Sequence, residues 1–503
     1  MSDMRFDWYG SLDEPWLNDL VGLVQETIDQ DRSSRGLTPE QKQHRASQEI
    51  LISQKVLSAL YQAYCFIFPR KSTRVSFPLD KSCFTTKENH PGKIALSATY
   101  TRNVYEALLS LGWITVNKGS EYAGYTRIFP EGYLKATFDE KGLSWVKQQP
   151  RDKSSLVVLR DKNAEGKKFD LETPKTPEVH IYRENLFQYN QFLTNHCIAL
   201  DVNDSQLAQV VTAMASKEEQ QQLIYWHEDT PRIPHINFSR VQLRRVFSRG
   251  SMDLGGRFYG GWWQQIPSAY RPHITIDGKP TIEIDFSGMC LRILYASQGV
   301  EYPVDKDPYD IGLNDWKGDK DPRRKFIKTF INAYINDENE TFRLKSQILN
   351  ELNLSHNELV DRVKNHHKAI SSSFGSLDGL KTMLTDSMVA ERIMLEGMKQ
   401  DIVILPIHDS FLIRAGFGFD LRHLMENAFE ELLQVHTKTS TTTYRFKNTF
   451  GWSEEEVIKA SKDPLKGVIN AAALRESYFK DAHNRGLMSG YVSSYRYHKE
   501  MMS

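Results

Sequence analysis

The sequence predicts an α+β protein built from several domains, and three observations carry that prediction. The chain has 503 residues, more than one compact core accommodates, so two or three domains are expected. Some stretches repeat apolar residues at helical spacing and others alternate them as strands do. Polar, turn-rich stretches separate these patterned runs: Gln30 to Gln43 with Gly36 and Pro39, Gln148 to Pro177 with Pro150 and Pro174, and Glu228 to Asn237 with Pro231 and Pro234. The expected divisions are an N-terminal helix and linker (1–43), a helix-and-strand domain (44–150), a linker and helical region (151–237), a larger C-terminal domain (238–452) and a helical tail (453–503). No internal repeat or low-complexity tract is visible.

Composition excludes several classes of function. Lys plus Arg (64) and Asp plus Glu (64) cancel, so any basic surface is local. Cys65, Cys83, Cys197 and Cys290 form no CxxC pair, against a structural zinc site or a disulfide framework. Met1 to Asp13 is polar and acidic rather than a secretory leader, and no run approaches the roughly 18 apolar residues of a membrane helix. A cytoplasmic protein with reduced thiols and no membrane partner is the expectation.

In the second division, helical spacing runs from Ile50 to Phe68. A second helix is expected over Thr101 to Leu111, with Val104, Leu108 and Leu111 on one face and Thr101 as its cap. An alternating run (Ile114, Val116), a turn at Lys118 to Gly124 and a strand at Tyr125 to Phe129 follow. That order is winged-helix-like. Residues 51–130 carry 10 Lys/Arg against 4 Asp/Glu, an excess suited to neutralising phosphates, although the same fold also serves as a scaffold.

The C-terminal domain carries the candidate chemistry. Thr281 to Phe286 alternates, with Ile282, Ile284 and Phe286 on one face and Glu283 and Asp285 on the other; an apolar helix follows over Met289 to Ala296. Ile402 to Ile407 is a continuous apolar run, broken by His408-Asp409-Ser410 and resumed over Phe411 to Ile413. A hairpin with Asp409 at its tip is the simplest reading. Either aspartate alone reads equally well as a turn or cap residue. If the two strands pair, both carboxylates reach one place, where Mg²⁺ or Mn²⁺ would offset their charge and serve two-metal phosphoryl transfer.

Further motifs occur in order. Gly256-Arg257, Gln264-Gln265-Ile266-Pro267, Arg271 and Asp285-Phe286-Ser287-Gly288-Met289-Cys290-Leu291-Arg292 resemble the run into motif A of family A DNA polymerases. Arg324 to Lys328 keeps the R-x-x-x-K start of motif B. His408-Asp409-Ser410 is similar to motif C, which is HDE in those enzymes and HDS in phage-type single-subunit RNA polymerases. The resemblance spans roughly 250–415. It implies a right-hand polymerase with a palm and compact fingers, preceded by the winged-helix-like domain and a thumb-like region.

It also implies roles. Asp285 and Asp409 are expected as metal ligands, Lys328 against the triphosphate with Arg324 assisting, Arg257 and Gln265 toward primer end or template, and His408 near the primer terminus. Arg271, Cys290, Arg292 and Tyr334 are candidate nucleotide contacts. Arg244 and Arg245 belong to a basic series with Arg240, Arg249 and Arg257, interleaved with Phe247, Phe258 and Tyr259. That mixture suits a nucleic-acid track, or a solvated basic helix over Arg240 to Arg249.

The sequence departs from the family at two positions. The residue eight after Lys328 is Asn336 rather than an aromatic. Cys290 stands where the DNA enzymes carry the glutamate that blocks a ribose 2′-hydroxyl, which implies tolerance of ribonucleotides. Nothing in residues 1–240 resembles the family's proofreading exonuclease.

The function expected is a template-directed DNA or RNA polymerase or primase of a mobile element or phage. DNA template and primer and nucleoside triphosphates are its expected partners, with an accessory protein or helicase as a further one. A non-catalytic winged-helix replication initiator and a two-metal nuclease are the competing readings.

Overall fold

In a computed structural model, the described residues are 3–5 (backbone only), 11–32, 38–68, 73–84, 96–117, 126–142, 146–202, 206–215, 235–338 and 341–441. The expected turn at Lys118 to Gly124 and the 453–503 tail lie outside them. The chain is mixed α+β.

The N-terminal part begins with strand β1 (Asp3–Arg5) and helix α1 (Pro15–Arg32). Leu17, Leu20, Val21, Val24 and Ile28 bury one stripe of α1, the spacing of an amphipathic helix. Helix α2 (Pro39–Tyr61) starts eleven residues before the expected Ile50. The stretch read as linker hides a capping box, in which Thr38 accepts from the Gln41 amide and Gln41 returns to the Thr38 amide, satisfying two orphan donors. After one π turn come β2 (Ile67–Phe68) and β3 (Arg74–Phe77). Helix α3 (Ala98–Ser110) is capped by Ser97 rather than Thr101, whose hydroxyl donates back to the Ser97 carbonyl. Strands β4 (Ile114–Asn117) and β5 (Thr126–Pro130) pair antiparallel, β5 also pairs β3, and helix α4 (Gly132–Lys141) closes the unit. Sheet order is β1-β3-β5-β4. Trp16, Tyr61 and Phe138 meet edge to face in the core at 5.0–6.3 Å.

The stretch expected as a linker from Gln148 folds into β6 (Val157–Lys162) and β7 (Lys168–Leu171). Val157 and Leu159 are buried, and the turn is held by Asn163, whose side chain accepts from the amides of Glu165 and Lys167. Two buried residues in a charged hairpin give too little alternation to stand out. Helix α5 (Pro177–Thr194), strand β8 (Ile198–Leu200) and a helix over 206–215 (α6) follow. The region expected as linker plus helices thus supplies strands to two sheets.

Strand β9 (Ile236–Asn237) pairs β2. Strands β10 (Arg244–Ser248) and β11 (Ser251–Tyr259) pair antiparallel, and β10 runs parallel to β6, giving order β11-β10-β6-β7. Arg240 to Arg249 is therefore no helix. β12 (Ile274–Ile276), β13 (Lys279–Phe286) and helix α7 (Met289–Ser297) complete the run to the first candidate aspartate.

Helices α8 (Arg324–Tyr334), α9 (Ser346–Leu352) and α10 (His356–His366) then build a second core around Ile327, Phe330, Ile331, Tyr334 and Leu359. Helix α11 (Asp378–Lys399) lies against β11 and α7, and leads into the hairpin β14 (Ile404–Ile407) and β15 (Ser410–Arg414). Helix α12 (Gly418–Leu433) and β16 (Thr439–Thr441) end the described chain. The C-terminal sheet runs β14-β15-β13-β12-β8, with β16 also on β13. Among the described residues no helix is long and apolar enough to cross a membrane.

Arg245 joins these layers from inside. It is fully buried, donates to the Gly256 carbonyl (2.9 Å), Ser387 Oγ (2.8 Å) and Glu391 (2.8 Å), and lies 4.0 Å from the Tyr182 ring. The structure thereby corrects its expected place on a nucleic-acid track. Arg245→Ala is expected to destabilise the fold by about 3 kcal/mol, because it strands Glu391 in a largely buried place. Urea denaturation would measure this, and nucleic-acid affinity per folded molecule is expected to stay unchanged.

Candidate active site

Backbone pairing brings the two expected carboxylates together. Residues 281–285 of β13 pair with Arg414 to Ser410 of β15 in antiparallel register, so Asp285 lies opposite Ser410. The Phe286 amide donates to the Asp409 carbonyl (3.2 Å). The β14–β15 turn is two residues, His408 and Asp409, and His408 adopts a left-handed φ of 59°. Imidazole side chains tolerate that region better than branched ones do. On the other strand, Gly288 (φ 68°) opens α7; a Cβ there would stand 2.3 Å from Pro308 Cγ. Only glycine allows the chain to turn so tightly from Asp285 into the helix.

Asp285 Oδ1 is buried and has no hydrogen-bond partner. Burial first, and then the charge of Asp409, push the Asp285 carboxyl up to about 8, with Lys328 acting in the opposite direction. A third carboxylate, Asp386 on α11, lies nearby. Burial and Asp409 raise it to about 7 against the opposing Arg257, which pairs with it at 2.5 Å. Burial works against the Arg257 charge, but Asp386 and Asp409 outweigh it and hold the guanidinium more firmly protonated. The sequence gives no sign of Asp386, because one acid in an amphipathic helix looks like a solvent-facing residue.

The cations stand on α8. Arg324 makes two bonds to Asp307 (2.8 and 3.0 Å) and lies 4.9 Å from the Tyr309 ring. Lys328, one turn on, lies 5.7 Å from the same ring. Tyr309 is buried, and burial, then Cys290 and Asp409, raise its phenol. This tyrosine too is missed by the sequence motifs. Cys290 Sγ meets Thr382 Oγ1 at 3.3 Å, and burial raises the thiol.

Other expected contacts divide. Gln265 and His408 are exposed, His408 edge-on to Tyr259 at 5.8 Å. Gln264 faces inward, bonding Gly260, Phe258 and Pro406. Arg244 is half-buried on β10, opposite Tyr259.

Three side chains expected on substrate are turned into the protein instead. Arg292 is buried and donates to the carbonyls of Ser287 (2.8 Å) and Tyr302 (3.0 Å), pinning the loop that carries Asp307. Arg271 pairs with Glu283 at 2.5 Å and donates to the Ile266 carbonyl. Tyr334 is buried between Phe330 and Phe374, stacked at 5.3 and 5.8 Å. Apart from Phe374 these partners lie near in sequence, but a motif of residue types does not display which way a side chain turns.

Two carboxylates with an orphaned buried oxygen fit a divalent cation, whose charge would offset their repulsion. Among the described residues no group of three or more His, Cys, Asp or Glu side chains gathers as a metal cluster, so the remaining coordination positions would be filled by water or ligand oxygens.

No protein-family model and no curated protein matches the chain. Among solved structures it is similar to the POL domain of Pol1 from M. smegmatis in complex with DNA primer-template and dNTP, at 11% identity and a TM-score of 0.31, over 52% of this chain and 68% of that one. At that score the likeness bears no weight.

The raised Asp285 carboxyl has a stability consequence. Unfolded, it loses its proton near 3.8; folded, it keeps the proton up to about 8. Between those values the folded state binds more protons, so metal-free stability falls as pH rises. In EDTA, Asp285→Asn is expected to melt progressively higher than wild type as pH rises from 5 to 8, with the gap levelling off above. Parallel thermal melts would show this.

Proposed function

We propose that the chain is a template-directed nucleotidyltransferase that adds nucleotides to a 3′-hydroxyl. The observation that carries the reading is the meeting of Asp285 and Asp409 on paired strands, with Lys328 acting on Asp285 from a separate helix. Two carboxylates with a cation acting on them suit a triphosphate. Its charge is met by Lys328, while Mg²⁺ or Mn²⁺ held by Asp285 and Asp409 would supply activation of the hydroxyl and neutralisation of the departing pyrophosphate. A nuclease has no triphosphate to hold, so Lys328 would then lack a partner.

The C-terminal sheet serves in this reading as the palm and the α8–α10 layer as compact fingers. Arg324, committed to Asp307, positions the loop carrying Tyr309 rather than gripping phosphate itself. Arg257, His408 and Gln265 are the candidates for contact with the primer end or template. Cys290, beside Thr382, leaves more space than glutamate would, which favours acceptance of ribonucleotides alongside deoxyribonucleotides.

We read the N-terminal order α2, β3, α3, β4, β5, on a sheet of order β1-β3-β5-β4, as winged-helix-like. With the local excess of Lys and Arg, it is assigned to template contact.

Incubation with Mg²⁺ or Mn²⁺, template with and without primer, and labelled rNTPs or dNTPs tests the reading. Incorporation is expected, and Asp409→Ala is expected to abolish it. Growth without primer makes the enzyme a primase; growth only from primer makes it a polymerase. No incorporation under any condition contradicts both. Lys328→Ala is expected to raise the nucleotide KM about tenfold or more, the worth of one charge-assisted contact.

A further inference from the structure

Beneath the two aspartates lies a buried group that the reaction does not touch. Glu283 precedes Asp285 by one pleat on β13, so both side chains leave the same face of the sheet. Glu283 is only 3% exposed, and its Oε1 accepts from two partners: Arg271 Nη1 at 2.5 Å and Ser410 Oγ at 2.6 Å. Arg271 is anchored in turn by the Ile266 carbonyl at 3.0 Å. Ser410 directly follows Asp409 and pairs across the strands with Asp285.

The Ser410–Glu283 bond therefore runs diagonally across the β13–β15 pair. Glu283 lies opposite Leu412, while Ser410 lies opposite Asp285. Such a diagonal resists sliding of one strand along the other. Sliding matters here, because Asp285 and Asp409 reach the site from different strands, and a shift of one residue would turn one of them away. A surface polar trio would add nothing of this kind; a buried one leaves its members no solvent to exchange with.

We propose that Arg271, Glu283 and Ser410 form a positioning brace that fixes the separation of Asp285 and Asp409, and so sets the affinity of the site for a divalent cation. The motif serine of His408-Asp409-Ser410 then acts inward, through Glu283, rather than on substrate. Arg271 acts likewise, through the same carboxylate.

The inference rests on the metal-binding half of the proposed function, and the test separates the two. Mn²⁺ would be titrated into the full-length protein and followed by electron paramagnetic resonance, with Asp285→Asn as the control for site loss and a melting curve for every variant. Ser410→Ala and Arg271→Met are each expected to weaken Mn²⁺ binding about tenfold, the usual effect of removing a group that orients a ligand. Because both act through Glu283, the double variant is expected to be little worse than either single one. Ser410→Thr keeps the hydroxyl and is expected to restore binding. Ser410→Ala removes one oxygen, which keeps the test open if Arg271→Met does not fold.

Unchanged Mn²⁺ affinity in folded Ser410→Ala overturns the brace, and so does equal loss in Ser410→Thr. A wild-type protein that takes up no Mn²⁺ overturns the brace and the two-metal reading together. Mn²⁺ uptake that the brace variants weaken, in a protein that incorporates no nucleotide, supports the brace and overturns the polymerase reading.

Discussion

The structure of the C-terminal half depends on one unfavourable interaction held in place: two carboxylates, Asp285 and Asp409, brought together at the ends of paired strands. Asp285 is not stabilised by its position. Asp285 has an oxygen without a hydrogen bond, and its carboxyl is pushed up to about 8. Like charges at such a place persist only when the surrounding fold over-determines their position. Here the over-determination is visible. The β13–β15 ladder sets the register, Gly288 permits the turn that no other residue fits, and a two-residue hairpin with His408 in a left-handed conformation presents Asp409.

Around that centre the charged side chains fall into two groups with different physics. Arg245, Arg271 and Arg292 spend their donors inside the protein, on carbonyls and buried acids, and act as cross-links between layers. Lys328, Arg257 and His408 keep part of their surface exposed and lie around the carboxylates. Arg324 stands between the groups, since its bidentate pair with Asp307 positions the segment carrying Tyr309. The division explains how a chain without net charge builds a strongly polarised site: the balance is struck locally, pair by pair.

Much of this was legible in the sequence, because the informative signals were short-range. The alternation from Thr281 to Phe286 and the break of an apolar run by His408-Asp409-Ser410 each need only a few residues to show, and both strands lie where the pattern places them. Most of the missed features depend on distant partners. The β6–β7 hairpin carries only two buried residues, and its sheet partners on β10 lie 88 positions away. The cap of α2 was readable in Thr38 and Gln41, yet Gly36 and Pro39 drew that stretch into a linker. Arginines in a basic series look alike in sequence whether they face phosphate or, as with Arg245, a half-buried glutamate 146 positions on. Asp386 gave no signal, because its significance comes wholly from Arg257 and Asp409 across the fold.

In the proposed function, Asp285 and Asp409 share a divalent cation and face a triphosphate held by Lys328. Crystals of the protein grown with Mn²⁺ and a non-hydrolysable nucleoside triphosphate, measured for anomalous scattering, test it most directly. An anomalous peak is expected between the two carboxylates, with triphosphate oxygens on its far side and Lys328 against them. A peak elsewhere, or the two carboxyl groups sharing a proton with nucleotide bound and no metal between them, would contradict it.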